Sequence, residues 1–137
     1  MKRNFQFDGT TVIRWNDRFI DLHNAYGLEL LGTDLNGSEV ELRFNRNAYA
    51  INPGGLPVQV ALRCSGNVKV AFNDLCAIAA PIDREGIEIA YFDEGCDWHS
   101  FLDEQLAQQQ EPKGLHLSFV NGFAVRIFCD EAIFATR

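Results

Sequence analysis

The stretch that most constrains the fold is Gly114 to Cys129, Gly-Leu-His-Leu-Ser-Phe-Val-Asn-Gly-Phe-Ala-Val-Arg-Ile-Phe-Cys. It reads as a β-hairpin turning at Val120-Asn121-Gly122, a three-residue loop whose last position takes a positive φ and therefore suits Gly. This loop pairs Phe119 with Phe123, Leu117 with Val125 and Leu115 with Ile127, and Cys129 continues the same apolar face. The opposite face carries His116, Ser118, Ala124, Arg126 and Phe128. A two-residue Asn121-Gly122 loop would shift the register by one and set Leu117 beside Arg126, which one-sided burial disfavours.

The same parity recurs upstream. Tyr26 to Asn45 reads as a hairpin around Leu35-Asn36-Gly37. It pairs Leu30 with Leu42 and Leu28 with Phe44 and sets Gly32 beside Val40, leaving Glu29, Glu39, Glu41 and Arg43 to face water. Val58 to Asn73 reads as a third hairpin around Ser65-Gly66-Asn67, pairing Cys64 with Val68, Leu62 with Val70 and Val60 with Phe72. Three hairpins with an apolar inner face make an antiparallel sheet or sandwich.

The remaining segments are less regular. Asn4 to Phe7 suits a short strand, and Gly86 to Asp93, with Ile87, Ile89 and Tyr91 alternating, suits another. Leu75 to Pro81 suits an irregular strand, and Ala132-Ile133-Phe134 a last one. In Thr10 to Ala25 the spacing of Val12, Trp15, Phe19, Ile20 and His23 favours a helix, although Thr11-Val12-Ile13 also suits a strand. A clear amphipathic helix is expected from Asp97 to about Gln109. Asp97 is its N-cap, Trp98, Phe101, Leu102 and Leu106 form its apolar stripe, and Pro112-Lys113-Gly114 follows. The fold class is therefore α+β in a single domain spanning residues 1–137: mostly antiparallel sheet built from hairpins, with one clear helix.

Composition narrows the function classes. A chain of 137 residues, 47% hydrophobic and 23% charged, has enough length for one core. No apolar run approaches a membrane span, and Met1-Lys2-Arg3-Asn4-Phe5 has no apolar stretch behind its basic residues, so a cytoplasmic protein is expected. Cys64, Cys76, Cys96 and Cys129 are scattered without paired spacing and read as reduced thiols. The net charge of −7 argues against nucleic acid as partner.

Chemical motifs are sparse. In Cys96-Asp97-Trp98-His99 a thiol precedes a helix start and an imidazole follows, the residue types of a nucleophile and its base, or half of a zinc site. No second compact pair completes a zinc site, and a capping Asp97 explains the segment without chemistry. His23 and His116 stand alone, His116 on the outer strand face beside Arg126. Phosphate-loop, dinucleotide, nucleophile-elbow and metalloprotease motifs are absent. The expectation is a protein that is no enzyme and holds no metal or cofactor. Two rivals remain: a small-ligand module with an apolar pocket inside the sandwich, and a small enzyme using Cys96 and His99.

Charge is unevenly placed. Residues 83–111 hold nine acids against Arg84 alone, a net of −8, while the other residues hold eleven bases and ten acids, a net of +1. Such a segment is either a solvated surface or one that steers a basic partner. In the second case the partner-binding residues are Asp93, Glu94, Asp97, Asp103 and Glu104.

Two motifs resemble a known family. Phe19-Ile20-Asp21-Leu22-His23-Asn24-Ala25, leading into Leu28-Glu29-Leu30, resembles the Phe-His-Asp-Ala opening of small bacterial immunity proteins of polymorphic toxin systems. Gly122-Phe123-Ala124-Val125-Arg126-Ile127-Phe128-Cys129 is similar to that family's closing Gly-x-x-apolar-x-Phe-x-Cys pattern. Between them, Val68-Lys69-Val70-Ala71-Phe72-Asn73-Asp74 is similar to its central strand followed by Phe-Asn. The resemblance implies a non-catalytic protein that binds and blocks a toxin, often one encoded beside it.

Overall fold

The computed structural model describes residues 1–34, 36–48, 50, 54–72, 87–93, 114–120 and 123–137; for 72, 88, 89 and 91–93 it describes the backbone alone. Among these the chain is mostly antiparallel β. The strands are β1 (Lys2–Arg3), β2 (Gln6–Asp8), β3 (Val12–Trp15), β4 (Arg18–Asp21), β5 (Tyr26–Thr33), β6 (Glu39–Arg46), β7 (Gln59–Ser65), β8 (Lys69–Phe72), β9 (Ile87–Asp93), β10 (Gly114–Phe119), β11 (Ala124–Phe128) and β12 (Glu131–Thr136). The single described helix, α1, spans only Leu22–Ala25. The helix expected over 97–109 and the strand expected over 75–81 lie outside the described residues.

Three sheets form. One runs β1-β12-β7-β6-β5, a second β8-β11-β10-β9, and a third β2-β3-β4. The first two share one core, in which Leu42, Phe44, Val60, Leu62 and Phe134 meet Leu115, Leu117, Val125 and Ile127, all buried. This arrangement is consistent with a β-sandwich.

The hairpin of β10 and β11 has the expected register, with Leu115 opposite Ile127 and Leu117 opposite Val125. The Phe119 amide donates to the Phe123 carbonyl at 2.8 Å. Gly114 has a separate structural requirement: a Cβ there would collide with the Ile127 carbonyl oxygen. The outer face of this hairpin is not an open one, since Arg126 is only 3% exposed and Ala124 is buried. His116 is half-buried and shares a 2.9 Å hydrogen bond with Ser118 through Nε2.

The hairpin of β5 and β6 keeps Leu28 opposite Phe44, then departs from the expected register. A bulge at Glu29 sets Leu30 beside Arg43 and Leu31 beside Leu42. The extra residue turns Leu30 outward, where it is 39% exposed. Gly37 has the expected positive φ, 66°. Asp34 closes this turn, accepting hydrogen bonds from Ser38 Oγ at 2.7 Å and the Glu39 amide at 2.8 Å.

The third expected hairpin does not form. β7 is central, paired with β6 on one side and β12 on the other, so no edge remains for β8, which pairs with β11 instead. The chain crosses between the two sheets at 66–68, and its partner crosses back at 129–130. Segments 60–72 and 125–136 thus form one long antiparallel ribbon bent at a shared corner. Between the pairs Ser65–Glu131 and Lys69–Phe128 one strand spans three residues and the other two, which makes a bulge. Gly66 (φ 72°) and Asn67 (φ 46°) make the bend. The Asp130 amide donates to the carbonyls of Ser65 and Gly66 at 3.0 and 2.9 Å.

Thr10 to Ala25 is a hairpin followed by a single helical turn, not a long helix. Asn16 and Asp17 both have positive φ, 47° and 59°, as a two-residue turn between right-twisted strands requires. Ile13 and Ile20 are paired and fully buried, while Arg14 and Phe19 form the next pair on the outer face. Period-two burial therefore replaces the helical spacing. α1 starts at Asp21, whose carboxylate accepts from the amides of His23 and Asn24 at 2.9 and 3.1 Å.

Candidate partner-binding surface

β9 is the strand from which the acidic segment extends. It lies at one end of the four-stranded sheet and pairs with β10, Leu117 opposite Ala90 and Gly114 opposite Asp93. Its other side is met by the N-terminal part of the chain. The Ala90 amide donates to the Thr10 carbonyl at 2.6 Å, and His23 Nδ1 donates to the Ile87 carbonyl at 2.7 Å. A strand edge so engaged is closed, at these positions, to pairing with another chain. His23 is thereby assigned a positioning role, since Asp21 fixes its turn and its ring ties that turn to β9.

Of the expected partner-binding residues, Asp93 ends β9. Glu94, Asp97, Asp103 and Glu104 follow in the connection from β9 to β10 and lie outside the described residues, as do Cys96 and His99. Among the described residues no three His, Cys, Asp or Glu side chains gather as metal ligands. No described helix is long and apolar enough to cross a membrane.

The outer face of the five-stranded sheet has a charge cluster where alternation led only to an expectation of solvated side chains. Glu41 on β6 accepts from Arg43 at 2.7 Å, from Arg63 on β7 at 2.6 Å and from Arg137 at 3.1 Å. Burial raises the Glu41 pKa, but the guanidinium hydrogen bonds of Arg43 and Arg63 outweigh it and hold the carboxyl below its ordinary value. The legible signal was period two itself: Glu41 and Arg43 share a face of β6, and Arg63 lies opposite Glu41. Beside this cluster Gln59 Nε2 donates to Asn45 at 2.8 Å and to Glu29 at 3.1 Å.

A second feature surrounds the Asn16-Asp17 turn. Arg3, Asn4, Phe5, Gln6, Arg14 and Asn16 line an open concavity of about 610 Å³. Arg14 donates to Gln6 Oε1, and Phe19, 60% exposed, lies across from Arg14 on β4. The helix expectation concealed this row, whereas the Asn-Asp turn dipeptide could have revealed it.

No family model, no curated protein and no solved structure matches the chain.

Proposed function

We propose that this chain is a non-catalytic protein-binding domain of the immunity type, which occludes the basic active-site cleft of a cognate toxin in the bacterial cytoplasm. The observation that carries this reading is the segregation of charge. Nine acids against one base lie in residues 83–111, while the remainder of the chain is nearly neutral. In the described remainder, several acids already have structural work: Glu41 among three arginines, Asp21 at a helix cap, Asp34 in a turn and Asp130 at the sheet corner. The segment's own sequence offers only Arg84 to offset nine carboxylates. Such an excess steers a cationic partner and raises its association rate.

In this reading Asp93 and Glu94 begin the binding surface at the end of β9. The sequence pattern expects Asp97 to cap a helix over 97–109 with Asp103 and Glu104 on its polar side. His23, the residue carried by the family resemblance, acts behind that surface by holding β9. The test is co-production with the protein encoded by the adjacent reading frame. A stable stoichiometric complex and suppression of that protein's toxicity are expected. A toxin that remains active at saturating amounts of this chain would refute the immunity reading.

A further inference from the structure

The outer face of the five-stranded sheet gathers three guanidinium groups on a single carboxylate. Glu41 accepts from Nε and Nη2 of Arg43 at 3.1 and 2.7 Å, from Nε of Arg63 at 2.6 Å and from Nη2 of Arg137 at 3.1 Å. Arg43 and Arg63 stand on neighbouring strands, and the Arg137 amide is fixed by the Gln59 carbonyl at 2.9 Å. Among the described residues, Glu41 is the one acid within ion-pair distance of these arginines. Three guanidiniums against one carboxylate leave an excess of two positive charges.

We propose that Arg43, Arg63 and Arg137 form a binding site for a phosphate dianion, inorganic or carried as a small monoester, with Glu41 as their positioning residue. Arg63 spends only Nε on Glu41 and Arg137 only Nη2, so Nη1 and Nη2 of Arg63 and Nε and Nη1 of Arg137 keep their donors. The side chains of Arg63 and Arg137 are 43% and 41% exposed, whereas that of Glu41, at 15%, is set deeper. Planar guanidinium forks match the oxygens of a phosphate group, and two unbalanced positive charges match its double negative charge.

Glu41 prepares the site. Long arginine side chains lose rotamer freedom when they bind a ligand, and this carboxylate has already gathered all three in one place. The floor beside them is small, since Arg43 faces Ala61 and Ala61 faces Ala135. The other acids of this face are set apart. Glu39 and Glu131 both lie opposite Ser65, and Glu29 accepts from Gln59 Nε2 at 3.1 Å. The cluster also belongs to the other large sheet from β9, so its ligand does not depend on the acidic segment or on the partner proposed for it.

The test is titration of the full chain with inorganic phosphate and, separately, with glycerol phosphate, at constant ionic strength set by sodium chloride, read by calorimetry and by melting temperature. Saturable binding of at least one probe is expected, with a raised melting temperature. Arg63→Gln and Arg137→Gln should each weaken it by about tenfold, as the loss of charged donors does. Arg63→Lys should weaken it too, since Lys keeps the charge without the fork. Arg14→Gln, on another sheet, should leave it unchanged. Circular dichroism reports whether each variant keeps the fold, and Arg137→Gln, beyond the end of β12, decides the matter where Arg63→Gln folds poorly. No saturable binding of either probe, or equal binding by the wild type and Arg137→Gln, would overturn the proposal.

Discussion

Asn67 Nδ2 donates to Asp130 Oδ2 at 2.7 Å across the corner of the molecule, joining two crossings that are distant in sequence. One crossing carries β7 into β8, the other β11 into β12. At the same place a Cβ on Gly66 would come within 2.7 Å of Asp130 Oδ2. A bent ribbon held at its bend gives the two large sheets a common core and a fixed relation.

The corner should therefore be sensitive to small changes. Gly66→Ala combines a positive φ with a close contact and should destabilise by about 2 kcal/mol. Asn67→Ala removes the hydrogen bond to Asp130 and puts Ala at a positive φ, which should cost about 1 kcal/mol or more. Urea unfolding of both variants measures this, and near-wild-type stability for both would remove the corner's structural importance.

Two other glycines separate space from backbone conformation. Gly37 has φ 66° and open space where a Cβ would stand, with nothing within 4 Å, whereas at Gly114 the Ile127 carbonyl oxygen occupies that position. Gly37→Ala should cost about 1 kcal/mol through φ alone. Gly114→Ala should cost more, about 2 to 3 kcal/mol, because the Ile127 carbonyl belongs to the paired strand and cannot rotate away. Equal losses in denaturant titrations would contradict this difference.

The Glu29 bulge gives a test of register. Leu30→Lys should change stability by no more than about 0.5 kcal/mol, because Leu30 points outward. Leu42→Ala, on the buried face, should cost about 2 to 5 kcal/mol. A severe loss from Leu30→Lys would restore the unbulged pairing of Leu30 with Leu42.

These contrasts show where the sequence was readable. Leu115, Leu117, Val125 and Ile127 alternate on either side of the Asn121-Gly122 dipeptide, so parity alone set the register of β10 and β11. Between Val60 and Phe72 parity failed, because an apolar face on each segment is equally compatible with a hairpin and with a crossing into a second sheet. Ala61 is the local clue: it is buried along with Val60 and Leu62, as befits a central strand with neighbours on both sides. In Val12 to Ile20 the apolar spacing matched a helix by coincidence, while Asn16 and Asp17 carried the turn information. That Arg63 lies opposite Glu41 depends on the neighbouring strand, which local pattern does not specify.

Glu41 should contribute stability that depends on acid. Its folded pKa lies below the ordinary value of 4.5, so the contribution is fully present above that value and is lost as pH falls through the folded pKa. The stability difference between wild type and Glu41→Gln should accordingly narrow as pH drops from 6 toward about 3. Chemical unfolding across this range measures it, and a difference that grows on acidification would contradict the ion cluster.

The acidic segment is the centre of the functional proposal, and association kinetics test it most directly. The chain and its Glu94→Lys/Glu104→Lys variant are compared for binding to the protein of the adjacent reading frame, at low and high salt. The expected result is slower association by the variant, little change in dissociation, and a difference that shrinks with added salt. Association that is equally fast for both proteins at low salt would contradict an acidic partner-binding surface.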